Sequence, residues 1–362
     1  MKPSEQKYKK GWATNSFANL LVTWQRHSGR HDLPWQKDLD PYKVWVSEIM
    51  LQQTQVSTVI TYFERFMRQF PTVQTLASAS QDEVLGLWSG LGYYSRARNL
   101  HCCAQQIVEL HASVFPKDYE TLQTLPGIGP STAAAIASIC FKQRVPILDG
   151  NVKRVLSRLR GFGADLSLSK SNKDLLTIAF EELPQSKSDM PTYTQGVMDL
   201  GATLCTPKNP KCGVCPVSMH CIGYKSGEPN KYPVKTKRVK KRAESMWLVC
   251  LVSKDGRVLL QRRPAKGIWA ALYCFPMFSS EELCEEFIGS LGAKQIEYGA
   301  AFTHVLTHKE LSLHVVQIRS FNPESLRAAL QKIPEMDSHW LSRAEWSVAG
   351  LPAPIRKTLL SL

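Results

Sequence analysis

The stretch LPGIGPSTAAAIASI, Leu125 to Ile139, decides how the chain is read. Its second half, Ser131 to Ile139, is a helix former, with Ala133, Ala134 and Ala137 among apolar neighbours at helical spacing. Ahead of it, Gly127 and Gly129 flank Ile128. Glycines so placed allow a tight turn and leave backbone N–H groups bare. Aimed from a helix N-terminus, such groups suit a phosphate oxygen. Leu122 and Leu125 close a short preceding helix, so residues from about 121 to 139 read as helix–hairpin–helix. That unit grips a sugar–phosphate backbone without reading bases. Taken alone, the segment also fits an ordinary glycine turn between helices.

Charge weighs toward the grip. The chain has 362 residues, with 45 Lys and Arg against 31 Asp and Glu, a net charge of +14. A basic balance of that size favours a polyanionic partner, nucleic acid first. The length suits roughly two or three domains, each with its own core. No stretch approaches the roughly 18 unbroken apolar residues of a membrane span. The opening MKPSEQKYKKGW is charged and no apolar run follows it, which argues against a signal peptide. The expected location is the cytoplasm, with the nucleoid as the bacterial variant.

A second motif lies in CTPKNPKCGVCPVSMHC, with thiols at Cys205, Cys212, Cys215 and Cys221. Four close thiols in a reducing compartment read as metal ligands. Only Cys212 and Cys215 form a short pair, whereas structural zinc favours two such pairs. The unequal outer gaps suit a loop wrapped round a [4Fe–4S] cubane; zinc and redox disulfides are the alternatives. Pro207, Pro210, Gly213 and Pro216 favour a tight wrap, and Lys208, Lys211 and Lys225 add charge that suits phosphates. The other cysteines, Cys102, Cys103, Cys140, Cys250, Cys274 and Cys284, read as core thiols.

The pattern divides the chain into an all-α body over residues 1–225, a basic linker over 226–242 and an α+β tail over 243–362. Asp40 and Pro41 mark the cap and first turn of a helix through PYKVWVSEIML. The run KYPVKTKRVKKR, Lys231 to Arg242, reads as an exposed tether. Beyond it apolar residues alternate: Val249 and Leu251 mark one strand, Val258 and Leu260 another, with Asp255-Gly256 as a hairpin turn between them. HKELSLHVVQI reads as a further strand, and SSEELCEEFIGSLG and NPESLRAALQKI as helices.

Together these segments resemble the adenine-specific mismatch DNA glycosylase family, on a body similar to the wider endonuclease III, helix–hairpin–helix superfamily. LPWQKDLDPYKVWVSEIMLQQTQV, GLGYYSRARNLH, LPGIGPSTAAAI, VPILDGNVKRVLSRL, QGVMDLGATLCTPKNPKC and FTHVLTHKELSLH all look like motifs of that family. The tail resembles a Nudix domain, but SSEELCEEFIGSLG lacks the glutamate-rich metal helix of a working Nudix hydrolase, so no pyrophosphatase activity is expected. The resemblance implies [4Fe–4S] ligation by Cys205, Cys212, Cys215 and Cys221. It also implies that adenine is excised opposite 8-oxoguanine or guanine in double-stranded DNA, in base excision repair. A monomer suffices to wrap one lesion.

An enzyme that removes a base must take it out of the stack and help a poor leaving group depart. Glu48 lies mid-helix among Val44, Trp45, Ile49 and Leu51, where a dry setting would hold its proton tightly and suit a general acid. By the resemblance it protonates N7 of adenine and assists water. Asp149, just before a helix in PILDGNVKRVL, reads as an N-cap whose helix terminus keeps it ionised. By the resemblance it stabilises the cationic sugar, with Asn151 orienting the site. Ser131 occupies the place where strand-cutting relatives carry an imine-forming lysine, so a monofunctional glycosylase is expected. Lys142 and Lys153 are close enough in sequence to keep incidental strand cleavage open.

Further contacts follow from the same motifs. Gln195 matches a base-contacting amide, Gln53 lies near the lesion pair, and Tyr93 matches the wedge that enters the duplex. In the tail Thr307 and His308 match an 8-oxoguanine-contacting loop in which this chain reads Leu-Thr-His, with leucine at Leu306 where the family has phenylalanine. The competing readings are a bifunctional glycosylase/AP lyase, disfavoured by Ser131 and the long tail, and a non-enzymatic iron–sulfur DNA-binding protein.

Overall fold

The computed structural model describes residues 16–236, 241–331 and 337–362. The stretch 1–15, read for a targeting signal, and residues 237–240 of the basic run lie outside them. Contacts divide the chain into two compact units: Met1–Gln74 with Cys103–Arg238, and Thr75–Cys102 with Val239–Leu362. Among the described residues no helix is long and apolar enough to cross a membrane.

The first unit is helical because its sequence lays apolar side chains along one face of each segment. Helix Phe17–Ser28 starts where the Ser16 side chain accepts the Asn19 N–H at 3.2 Å, and it buries Phe17, Leu21 and Val22. Asp40 caps helix Pro41–Leu51 by accepting the Tyr42 N–H at 2.9 Å, as its position predicts. Helix Val56–Gln69 buries Val59, Phe63 and Phe66, three residues on one stripe. Helix Pro130–Phe141 is buried from Thr132 through Ile139, its alanines letting neighbouring helices approach closely. It packs against helix Met190–Thr203 and helix Pro41–Leu51.

The hairpin forms between helix Tyr119–Leu122 and helix Pro130–Phe141. Only Gly127, at φ +76°, takes a left-handed conformation; Gly129 caps the following helix at an ordinary φ of −83°. The turn therefore needs one glycine for its backbone, not both. No side chain caps the N-terminus of helix Pro130–Phe141, so its first N–H groups keep the bareness expected of a phosphate grip. Near the far end of the unit, Pro229–Lys231 forms a 3₁₀ turn and Asp165 holds Thr236 by its hydroxyl and amide. The expected tether is thus anchored at its start.

The second unit carries two sheets. Strands β1 (Arg242–Leu251), β4 (Met277–Phe278), β5 (Gln295–Tyr298), β6 (Phe302–Val305) and β7 (Lys309–Ser320) form one, and β2 (Val258–Arg262), β3 (Tyr273–Cys274) and β8 (Ser338–Leu341) the other. Their orders are β4-β1-β7-β5, with β6 also on β7, and β3-β2-β8. β1 runs parallel to β7 from Arg242 opposite Lys309 to Leu251 opposite Ile318. The expected β1–β2 hairpin is reduced to its turn: Gly256 donates to Ser253 O at 3.0 Å, but only Val252 and Val258 bridge before the strands diverge into separate sheets. Val249, Leu251, Val316 and Ile318 pack with Phe287 and Ile288 of helix Glu281–Ser290 and Leu326 of helix Pro323–Gln331.

Residues 75–102 belong to this unit as well. Helix Gln81–Trp88 buries Leu85 and Trp88. Ser89 Oγ and Tyr94 Oη donate to Leu351 O at 3.0 and 2.6 Å. Arg262 pairs with Asp82 at 2.8 Å, and Arg98 donates to Ala270 O at 2.8 Å. Of the thiols expected in a core, Cys103, Cys250, Cys274 and Cys284 are buried, but Cys140 is half-buried and Cys102 is exposed. Cys102 lies on the outward face of an amphipathic helix, which a view of apolar neighbours alone does not distinguish.

Candidate active site

Glu48 sits in the second half of helix Pro41–Leu51, with Trp45, Ser47 and Ile49 buried beside it. Glu48 is half-buried as a residue and lines a cavity of ≈ 280 Å³ together with Gln25, Arg30, Trp35 and Gln195. Burial, and after it the negative charge of Asp149, raises the Glu48 pKa to about 8. At neutral pH the group therefore holds a proton, the state a general acid needs.

Asp149 is the N-cap of helix Gly150–Arg160 and accepts the Val152 N–H at 2.7 Å. From the sequence, the helix terminus is expected to keep it ionised. In the fold burial is the larger effect and pushes its pKa up, against the cap hydrogen bonds and the charges of Arg154 and Lys153. Asp149 lies outside the cavity lining; its link to Glu48 is the charge that raises the Glu48 pKa. Asn151 accepts from Arg154 Nη2 at 3.0 Å and packs on Gly201, where a Cβ would stand 2.9 Å from its own.

Gln195 faces the cavity from helix Met190–Thr203. Its Nε2 donates to Asp199 Oδ1 at 3.0 Å, one turn further along the same helix. Asp199 is wholly buried and also accepts from Gln25 Nε2 at 3.1 Å, from the Arg30 amide at 3.0 Å and from Arg30 Nε and Nη2 at 2.9 and 2.5 Å. Gln25, Arg30 and Asp199 were missed from the sequence. The available signal was an acid embedded in the apolar helical run VMDLG. Gln53 and Ser131 lie outside the cavity lining. Gln53 is exposed at φ 59° just past helix Pro41–Leu51, and Ser131 is half-buried in the first turn of helix Pro130–Phe141.

In the same unit Cys205, Cys212, Cys215 and Cys221 line one shared gap. Burial, and beyond it the charge of neighbouring thiols, raises the pKa of Cys212, Cys215 and Cys221. Among the described residues no three His, Cys, Asp or Glu side chains close round a single metal ion. Four thiols lining a common gap are a donor set that a cubane accepts, one thiolate at each iron. Arg158 ties the loop down: it donates to Thr206 O at 2.7 Å, Pro207 O at 3.0 Å, Pro229 O at 2.8 Å and Cys205 Sγ at 3.4 Å.

Comparison with known proteins is consistent across the chain. Residues 46–179 match the HhH-GPD superfamily of base excision DNA repair proteins, residues 205–221 the iron–sulfur binding domain of endonuclease III, and residues 248–361 the NUDIX domain. The adenine DNA glycosylase of Buchnera aphidicola subsp. Schizaphis graminum is 37% identical over 349 residues, covering 95% of this chain and 97% of that protein. The human adenine DNA glycosylase is 34% identical, covering 94% of this chain and 73% of its own length. The chain belongs to the adenine DNA glycosylase family. A solved thermostable thymine-DNA glycosylase is similar in structure, with a TM-score of 0.53 and 26% identity over 58% of this chain and 95% of that one.

As in the endonuclease III iron–sulfur domain it matches, the loop of this adenine DNA glycosylase family member is a [4Fe–4S] site. Bound there, a cluster would cross-link a loop whose described regular structure is two short 3₁₀ turns. The second unit has its own cavity of ≈ 610 Å³, lined by Tyr93, Arg98, Trp269, His304, Thr307 and His308, among others. Tyr93 is 45% exposed at φ 48°, and Thr307 Oγ1 donates to Tyr93 Oη at 3.3 Å. Leu306 and Lys309 close the Thr307-His308 turn with a 2.8 Å backbone hydrogen bond. The structure thus brings Tyr93, Thr307 and His308 together and, separately, Glu48 and Gln195.

Proposed function

We propose that the protein hydrolyses the N-glycosidic bond of adenine mispaired with 8-oxoguanine, and less readily with guanine, in duplex DNA. The observation that carries this reading is Glu48, protonated at neutral pH with a pKa near 8 on the wall of a cavity. Such an acid donates to N7 of an extruded adenine as the bond to the sugar breaks. Asp149 contributes negative charge below the cationic sugar, and water completes the displacement. Bare N–H groups at the start of helix Pro130–Phe141 hold a backbone phosphate. The Tyr93–Thr307–His308 surface offers an aromatic face and polar tips to the opposite, oxidised base.

Ser131 has no amine for an imine, so base removal without strand cutting is the expected chemistry. Lys153 supports a second, minor reading. Burial lowers its pKa, but its Nζ donates to Asn172 Oδ1 at 2.7 Å, so the amine would have to leave that partner to reach a sugar. A duplex with a single 8-oxoguanine:adenine pair tests both. The expected result is free adenine with strands intact until alkali is added. Strand scission matching adenine release without alkali would overturn the monofunctional reading. Glu48→Gln should retain duplex binding and lose adenine release by about 10²–10⁴-fold; unchanged release would remove Glu48 from the mechanism.

A further inference from the structure

Asp199 belongs to neither the acid nor the sugar-stabilising role; it is wholly buried and does not line the Glu48 cavity itself, but it bonds residues that do. A buried carboxylate persists where it is fully hydrogen-bonded. Asp199 accepts from Gln25, Arg30 and Gln195, and all three of these line the same cavity as Glu48. A carboxylate can only accept, so the end of the Gln195 amide that meets it must be the NH₂. The Gln195 side chain lines the cavity, and its carbonyl oxygen is the end of the amide that does not meet Asp199.

We propose that Asp199 is a positioning residue that sets base preference, by fixing Gln195 as an acceptor for the exocyclic amine of adenine. This rests on the adenine-release reading above. An unrestrained glutamine offers donor or acceptor with equal ease. Held by Asp199, it meets the adenine amine with an oxygen, and it meets the O6 of guanine, also an acceptor, with repulsion. Arg30, gripped through its guanidinium and its own amide, is fixed by the same carboxylate.

The test compares release of adenine with release of purine, which lacks the 6-amino group, each opposite 8-oxoguanine. In Asp199→Asn the new side chain can donate, so Gln195 can turn over. The adenine-to-purine ratio of kcat/KM should fall by about tenfold relative to the starting protein, the effect of one lost hydrogen bond. Adding Gln195→Glu to that variant restores an acceptor in any orientation and should restore the ratio. Gln195→Met, which leaves Asp199 held by Arg30, should lower the ratio as Asp199→Asn does. Equal losses for both bases in Asp199→Asn, failure of the double variant to recover while its iron content and duplex affinity are normal, or an unchanged ratio in Gln195→Met would each overturn the proposal. Should Asp199→Asn not fold, Gln195→Met decides alone. Absence of adenine release from the unaltered protein would instead sink the function on which the proposal rests.

Discussion

Glu48 links proton affinity to stability. Its pKa rises from 4.5 to about 8 on folding, so between those values the folded chain binds more protons than the unfolded one. Stability from this group is full below about pH 4.5 and is lost as pH climbs toward 8. Glutamine stays neutral throughout. Glu48→Gln should therefore melt above the unaltered protein near pH 8, with the gap closing toward pH 4.5, in calorimetric scans across that range. A gap that widens toward acid would contradict the assignment. The site was legible here because an acid among Val44, Trp45 and Ile49 has few ways to stay wet. Burial of Asp149 was not, since a cap motif says what a side chain bonds and not what covers it. Asp199 was invisible for a related reason: its partners Gln25 and Arg30 lie some 170 residues away.

Single elements read better than their partners did. Asp40-Pro41 announced its helix, and the glycine hairpin announced two more. The Asp255-Gly256 turn was also legible, but the pairing it suggested was not, because β1 finds β7 nearly seventy residues on. A local turn cannot reveal which strand completes a sheet. Helix Gln81–Trp88 makes the same point through Gly86. A Cβ there would lie 2.1 Å from the carbonyl oxygen of Val348, a backbone atom that cannot swing aside. Helix propensity predicts that Gly86→Ala stabilises by about 1 kcal/mol. The close approach predicts the reverse, a loss of about 1–3 kcal/mol by overpacking. Denaturant unfolding gives the sign, with Gly289→Ala in helix Glu281–Ser290, where a Cβ meets nothing within 4 Å, as the control.

For the whole molecule, the class of fold was legible and its partition was not. Helical periodicity in the body and alternation in the tail separated all-α from α+β. They did not show that residues 75–102 complete the unit that begins at Val239, because an apolar stripe names a face and not the surface that meets it. A chain ending at Arg238 should therefore leave Leu85, which packs on Gly350, uncovered. Limited proteolysis of that fragment should cut first within 75–102, and the fragment should bind a hydrophobic dye that the full chain does not. Protection of 75–102 in the fragment would contradict this.

The same interleaving sets a schedule during synthesis. Cys102 leaves the ribosome 137 residues before Val239. At about 5–20 residues per second, that is a wait of roughly 7–30 s. Throughout that interval a tryptophan-bearing helix has been made and its mate does not yet exist. Nascent chains stalled short of the tail should accordingly be the ones that chaperones hold.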